Sequence, residues 1–251
     1  MSEVSILSTF EAVDIKDNIF IQRAFQLANW GKFSVAPNPR VGAVIVHNDK
    51  IIGEGYHQVY GGKHAEVNAI ESVTDKSLLS QSTIYVSLEP CAHFGKTPPC
   101  AHLLEEYQFK RVVISNKDPF DKVNGSGISI LEEAKIKVQS KVLEKEGASV
   151  NRRFFTFHQK ERPYIILKWA QTQNGYFSPA DDSQFWITNT FSKQIVHKWR
   201  SEEMSILVAS NFSKLSENAV LYAASLAKEL NTKLILFNAF KLPLHASNSR
   251  V

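Results

Sequence analysis

The chain has 251 residues, 43% of them hydrophobic, which suffices for one large or two modest domains with a real core. Its net charge of +4 is mildly basic, and its lysines and arginines form no dense block of the kind that binds nucleic-acid phosphates. No apolar run approaches the length of a membrane span. These properties argue against nucleic-acid and membrane partners and favour a small anionic substrate.

The first residues bear on where the chain resides. Residues 1–18 contain acidic side chains and no apolar segment followed by a small-residue cleavage site, so we expect no export leader. We therefore expect a cytoplasmic protein. A reducing cytosol disfavours a structural disulfide.

The first predicted elements are a helix and a hairpin. Asp17 or Asn18 can cap a helix, because apolar residues follow at helical spacing. A β-branched run at residues 41–46 turns at Asn48-Asp49 and returns through residues 51–53, which predicts a β-hairpin.

Strands and helices then alternate along the chain. The predicted elements are a helix from about His64 to Val73, a strand at 84–88, a helix from Cys100, a strand at 111–115, a helix at 128–135 and a short strand at 136–139. This alternation predicts an α/β fold, a three-layer α/β/α sandwich over a mixed sheet.

The two cysteines of the chain suggest a metal site. Cys91 and Cys100 flank a proline-rich loop, and His64 lies at the start of the preceding helix. One imidazole and two thiolates are a ligand set that leaves the fourth zinc position open for water. Buried inert thiols are the alternative, but the neighbouring prolines and the His-x-Glu pattern favour a zinc site.

Glu66 is the candidate proton carrier. It lies too close to His64 in sequence to serve as a routine fourth ligand. A carboxylate beside a zinc site can take a proton from water and pass it on, first to a ring nitrogen and then to a departing amine. A carboxylate that stabilises the helix N-terminus is the alternative.

These motifs resemble the cytidine-deaminase-like superfamily, whose signature is His-x-Glu followed by Pro-Cys-x-x-Cys. Eight residues rather than two separate Cys91 from Cys100, and the intervening segment resembles the riboflavin-biosynthesis deaminase/reductase of the RibD type. The segments around Asn38, residues 41–46, His57 and Asp118 resemble the same family. The resemblance covers roughly residues 17 to 203.

The resemblance implies a substrate and roles for the residues around the zinc site. The expected reaction replaces the 2-amino group of 2,5-diamino-6-ribosylamino-4(3H)-pyrimidinone 5′-phosphate with oxygen and releases ammonia. Asn38 and His57 would hold the pyrimidine and its ribosyl part. Lys96 would meet the phosphate, and Asp118 would bind the ribose hydroxyls. Phe120 stands where the family often has Asn.

Beyond residue 160 the sequence resembles the start of the family's NADPH-dependent reductase domain. The matching segments are residues 162–175, 186–188 and 197–203. Ala170, Trp186 and Thr188 align with cofactor-side positions, and Ser183 and Arg200 align with substrate-side positions. Asn174 stands where the family usually has Asp.

The sequence then changes character near Glu203-Met204. Residues 204–251 resemble the β-α-β start of a universal stress protein, although an unusual loop variant of the reductase remains the alternative, since both folds share these elements. A reductase of this family needs roughly two hundred residues for its doubly wound sheet. We therefore expect deamination to survive and NADPH-dependent reduction to be lost.

The predicted organisation has five segments. They are an N-terminal extension (1–16), a zinc deaminase domain (17–146), a linker helix (147–161), a truncated reductase start (162–203) and a universal-stress-like fragment (204–251). Zn2+ is the expected cofactor and a phosphorylated pyrimidine the expected ligand, and the family's assemblies favour a homo-oligomer. A nucleoside or nucleic-acid deaminase and an inactive fusion remnant are the other hypotheses.

Overall fold

Two compact units, Met1–Ile166 and Leu167–Val251, make up the chain. The computed structural model describes residues 3–93, 98–120, 123–167, 170–176, 187–201, 205–209, 214–229 and 233–237. None of the helices in these ranges is both long and apolar enough to cross a membrane.

The first unit contains five strands and six helices in its described residues. The strands are β1 (Gly42–His47), β2 (Lys50–Tyr56), β3 (Thr83–Leu88), β4 (Arg111–Asn116) and β5 (Lys137–Gln139). The helices are α1 (Glu3–Trp30), α2 (Ala65–Ser72), α3 (Cys100–Glu106), α4 (Ser126–Glu133), α5 (Glu144–Val150) and α6 (Arg152–Lys160), and a 3₁₀ helix covers Lys76–Gln81.

The strands form one mixed sheet in the order β2-β1-β3-β4-β5. β1 is antiparallel to both β2 and β3, whereas β3, β4 and β5 run parallel. Asn48 and Asp49 join β1 to β2, and both have positive φ (48° and 61°), as a two-residue hairpin turn of matching twist requires. The predicted hairpin and mixed sheet are confirmed.

Apolar residues cover both faces of the sheet, because successive strand residues point to opposite sides. One face carries Ile45, Ile84 and Val112, which are fully buried against α2, α3 and α4. The other face carries Val44 and Val113, which pack against α1. The three-layer α/β/α sandwich is therefore confirmed.

The start of α1 differs from the prediction. Asp17 and Asn18 were expected to cap the helix, but α1 begins at Glu3 and runs through both residues. Asp17 is 2% exposed, and its carboxylate accepts two hydrogen bonds from Arg111 at 2.8 and 2.6 Å and one from the Tyr85 hydroxyl at 3.1 Å. Asp17 therefore joins α1 to the sheet rather than capping a helix.

The second unit contains α7 (Thr190–Ser201), β6 (Ser205–Ala209), α8 (Lys214–Glu229) and β7 (Lys233–Phe237) among its described residues. β6 and β7 pair in parallel on either side of α8 in the chain, which is the predicted β-α-β order. The resemblance of residues 162–175 to the first strand and turn of the reductase domain predicts a strand here, but residues 163–167 and 170–172 form none. A turn closes at Thr172–Tyr176 instead, with Gly175 at φ 88°.

Candidate metal centre

Three elements of the first unit bring His64, Cys91 and Cys100 together. His64 is the N-cap of α2, with extended backbone angles of −74° and 166°, and Cys100 is the first residue of α3. Cys91 lies in the loop that leaves the carboxyl end of β3. The site therefore sits where a parallel strand ends and two helices begin.

The separations of the three ligand atoms fit a zinc ion. His64 Nδ1 lies 3.5 Å from Cys91 Sγ and 3.3 Å from Cys100 Sγ, and all three atoms lie within 4.8 Å of one another. Tetrahedral bonds of about 2.0 Å to nitrogen and about 2.3 Å to sulfur place those atoms about 3.6 Å apart. His93 does not belong to this cluster; its side chain is exposed, and its ring centroid lies 6.2 Å from that of Phe120.

Cys91 receives hydrogen bonds from the first turn of α3. The backbone N–H of Cys100 donates to Cys91 Sγ at 3.3 Å, and the N–H of Ala101 donates to the Cys91 carbonyl at 3.1 Å. The side-chain hydrogen bond between the two sulfurs is the main reason that the pKa of Cys91 falls to about 4, and the Cys100 backbone N–H lowers it further; the same side-chain hydrogen bond and burial raise the pKa of Cys100. The protein thus favours a thiolate at Cys91 without any ion, as a metal ligand requires.

Glu66 lies on the first turn of α2 and is 3% exposed. Burial raises the pKa of its carboxyl to about 7, and the neighbouring His64 opposes that rise. The hydrogen bond to Cys91 raises the pKa of His64 to about 9 despite burial. A carboxyl whose pKa lies near neutrality can both accept and release a proton under ordinary conditions.

Asn38 and His57 form a hydrogen-bonded pair beside His64. His57 Nδ1 lies 2.9 Å from the Lys63 carbonyl oxygen, which only accepts, so Nδ1 carries the proton. His57 Nε2 then accepts from Asn38 Nδ2 at 3.1 Å, and the His57 and His64 rings meet edge to face at 5.5 Å. Burial lowers the pKa of His57, which keeps the ring neutral in this arrangement.

Asp118 follows β4 at the same edge of the sheet. It is 8% exposed, and its Oδ1 accepts from the Phe120 N–H at 2.8 Å. Burial raises the pKa of its carboxyl to about 6. The hydrogen bond from the Phe120 N–H lowers this pKa, and the charges of Glu89 and Cys91 raise it by smaller amounts. Phe120 lines a cavity of about 250 Å³ with Pro119, Phe157, His158 and Glu161.

The remaining predicted site residues fall elsewhere. Lys96, Ser183 and Trp186 lie outside the described residues. Ala170, Thr188 and Arg200 are half-buried residues of the second unit, where the Arg200 guanidinium lies 5.6 Å from the centre of the Tyr222 ring.

Two residues near the site were not predicted. Asn151 exchanges two hydrogen bonds with the backbone of Arg40, at 2.9 and 2.8 Å, and so fixes the loop that carries Asn38. Glu89 is 4% exposed and accepts four backbone N–H groups. A charged residue at the end of an otherwise apolar strand was the available signal for Glu89. Asn151 gave no comparable signal.

Comparison with known proteins connects this geometry to a family. The sequence model described as the cytidine and deoxycytidylate deaminase zinc-binding region matches residues 14–116. The riboflavin biosynthesis protein RibD of Aquifex aeolicus (strain VF5) is 42% identical over 195 residues, which are 78% of this chain and 54% of that protein. The chain thus spans little more than half the length of this relative.

Two further relatives bear on how far the likeness extends. The diaminohydroxyphosphoribosylamino-pyrimidine deaminase of Buchnera aphidicola subsp. Schizaphis graminum (strain Sg) is 45% identical over 141 residues, 56% of this chain and 95% of that protein. The structure of Acinetobacter baumannii RibD, form 1, superposes with a TM-score of 0.78 at 35% identity, covering 93% of this chain and 67% of that chain.

The extent of the match to Acinetobacter baumannii RibD bears on residues 204–251. A superposition that covers 93% of the chain cannot stop at residue 203, so the likeness to RibD continues past the predicted junction. The resemblance of this segment to a universal stress protein finds no support, and the alternative of a reductase variant is the better interpretation. With 95% of a deaminase relative covered at 45% identity, the chain belongs to the RibD deaminase family of riboflavin biosynthesis proteins.

Proposed function

We propose that this chain catalyses the hydrolytic deamination of 2,5-diamino-6-ribosylamino-4(3H)-pyrimidinone 5′-phosphate to 5-amino-6-ribosylaminouracil 5′-phosphate. The observation that carries the proposal is the cluster of His64, Cys91 and Cys100 with the buried Glu66 beside it. The substrate is suggested by the 45% identity to nearly the whole of a diaminohydroxyphosphoribosylamino-pyrimidine deaminase.

The zinc-binding roles follow from the donor atoms. His64 Nδ1 and the sulfurs of Cys91 and Cys100 would hold the ion, since their separations match tetrahedral zinc. When bound, zinc supplies Lewis acidity that lowers the pKa of water toward neutrality. The Cys100 N–H donates to the Cys91 sulfur and favours its thiolate, and the Ala101 N–H, bound to the Cys91 carbonyl oxygen, holds the residue in place.

Glu66 moves the protons of the reaction. Its carboxylate takes a proton from the attacking water and gives it to the adjacent ring nitrogen, and a second transfer neutralises the departing amine. In balance, one water is consumed, its oxygen forms a carbon–oxygen bond at the carbon that bears the amino group, the carbon–nitrogen bond breaks, and one ammonia leaves. Because burial brings the pKa of Glu66 to about 7, both directions of transfer are accessible near neutral pH.

Asn38, His57 and Asp118 would orient the substrate. His57 holds the Asn38 amide through Nε2, which leaves the Asn38 carbonyl oxygen free to accept from an amino group of the pyrimidine. The Asp118 carboxylate suits the ribose hydroxyls as a paired acceptor. Lys96, outside the described residues, is proposed to meet the 5′-phosphate. The loss of NADPH-dependent reduction and the homo-oligomer stay predictions.

Ammonia release tests the proposal. The purified, zinc-loaded chain is incubated with the diaminopyrimidine ribosyl phosphate, and ammonia and the uracil product are measured together. We expect one ammonia per product, and no turnover after zinc removal by a chelator. Cytidine, deoxycytidylate and a single-stranded oligonucleotide serve as control substrates. A folded, zinc-replete chain that released no ammonia from the phosphate substrate would overturn the proposal.

A further inference from the structure

Glu89 joins two segments of the candidate site. It follows the last residue of β3 directly and precedes Pro90 and the zinc-ligand candidate Cys91. Its own N–H donates to the Asn116 carbonyl at 2.9 Å, which continues the pairing of β3 with β4 beyond the strand end. The side chain, 4% exposed, points to the loop that follows β4.

Both carboxylate oxygens of Glu89 are occupied by backbone donors. Oε2 accepts from the N–H groups of Asp118 at 3.1 Å and Gly125 at 3.0 Å, and Oε1 accepts from Gly127 at 3.0 Å and Ile128 at 3.3 Å. A carboxylate offers about four lone-pair sites, so these four donors fill its capacity. Glu89 therefore has no free position for a substrate proton, and it differs in this respect from Glu66.

The four donors come from both ends of one loop. Asp118 is the second residue of the loop after β4, and Gly125, Gly127 and Ile128 lie where the loop enters α4. Amides at a helix start complement a negative charge, so the buried carboxylate is compensated where it stands. The loop can leave its position only by exposing these amides or leaving Glu89 uncompensated, and both are costly inside a protein.

Glycine at position 127 shows how closely this loop lies against the zinc-ligand segment. A Cβ there would stand 2.0 Å from the Pro90 carbonyl oxygen and 3.3 Å from Glu89 Oε1. The start of α4 and the residue before Cys91 are thus in direct contact, and Glu89 fixes their register.

We propose that Glu89 is a positioning residue that ties the Asp118 loop to the strand end carrying Cys91, so that the ribosyl group bound by Asp118 presents its pyrimidine to the metal centre. This inference rests on the proposed function, since it uses the substrate role of Asp118. Glu89 acts through Asp118 and touches neither the substrate nor the ion.

Glu89→Gln is the informative variant because it preserves size and alters the donor pattern. The amide keeps one acceptor oxygen, but its NH₂ group would face two backbone N–H donors and cannot bind them. With the NH₂ group in place of Oε2, the N–H groups of Asp118 and Gly125 lose their acceptor; with it in place of Oε1, those of Gly127 and Ile128 do. Glu89→Asp keeps the charge but shortens the side chain by one methylene, so it should weaken the contacts less selectively.

A double-mutant cycle on the full, zinc-loaded chain tests the proposal. Glu89→Gln, Asp118→Ala and the double variant are compared with wild type for KM, kcat and zinc content. We expect Glu89→Gln to raise KM about tenfold, with kcat within about threefold and one zinc per chain retained. In the Asp118→Ala background the same change should alter KM by less than about twofold, because the residue it positions is gone.

Glu133→Gln, an exposed change on α4, should leave KM and kcat unchanged. If the effects of Glu89→Gln and Asp118→Ala multiply, or if Glu89→Gln acts by losing zinc, the inference is wrong. An inactive wild type would instead overturn the proposed function.

Hydrogen exchange of the wild type covers the case in which the Glu89 variants do not fold. The amides of Asp118, Gly125, Gly127 and Ile128 should exchange together with one opening free energy. Independent or unprotected exchange of these amides would contradict the proposed role of Glu89, whatever the activity of the chain.

Discussion

The two units of the chain differ in how their polar side chains are held. In the first unit buried carboxylates bind partners far away in sequence, as Asp17 binds Arg111 and Glu89 binds the start of α4. Among the described residues of the second unit, the Tyr222 hydroxyl and His197 form such a contact at the surface, at 2.9 Å. Catalysis needs side chains locked by packing and buried hydrogen bonds, and the buried network of the first unit supplies them around the proposed site.

The largest expected effect concerns Glu66. Replacing it with Gln removes the proton carrier but keeps the shape of the side chain, so kcat should fall by about a thousandfold or more while zinc content stays at one per chain. Steady-state ammonia release and metal analysis on the same sample measure both. Glu71→Gln is the matched control on α2, where Glu71 is exposed and paired with Lys63, and its kcat should be unchanged. Retained turnover in Glu66→Gln would refute the assignment.

The second prediction tests the buried network of the first unit. Asp17→Ala leaves Arg111, with its side chain 16% exposed, without its carboxylate partner, which should destabilise the unit by about 3–5 kcal/mol. Chemical denaturation monitored by tryptophan fluorescence and far-UV circular dichroism measures the change. Lys16→Ala, at the residue next to Asp17, removes the exposed ion pair of Lys16 with Asp49 and should cost less than about 1 kcal/mol. Equal losses from the two variants would remove the contrast.

This contrast also shows what the sequence could reveal. The cluster of His64, Cys91 and Cys100 was predictable because histidine and cysteine at this spacing serve mainly as zinc ligands. The hairpin was predictable because Asn48 and Asp49 tolerate a left-handed backbone conformation. The start of α1 was not, since Asp17 suits a helix cap and a buried ion pair equally, and its partner Arg111 lies 94 residues away. Glu89 was missed for the same reason: its partners are backbone amides brought close only by the fold.

A pH profile should sharpen the role of Asp118. Burial places the pKa of its carboxyl at about 6, so the group is ionised above that pH and becomes protonated as the pH falls through it. Facing charges are Glu89 and Cys91, which favour protonation. A protonated carboxyl is a poorer acceptor for ribose hydroxyls, so KM should rise several-fold between about pH 7 and about pH 5. Asp118→Asn should have a raised KM that no longer changes over this range; an unchanged slope in that variant would assign the dependence to another group.

The smallest effect is expected from removing the second unit. A chain that ends after residue 166 keeps the whole five-stranded sheet, both of its apolar faces and the cluster of His64, Cys91 and Cys100. Its zinc content and deaminase kcat should therefore lie within about twofold of the full chain, because the hydrogen bonds that hold His64, Cys91 and Cys100 are formed within the first unit. Ammonia release and thermal unfolding of both chains measure this. A fragment that folds and binds zinc but loses turnover would show that the second unit contributes to catalysis, and would contradict the assignment of the deaminase chemistry to the first unit alone.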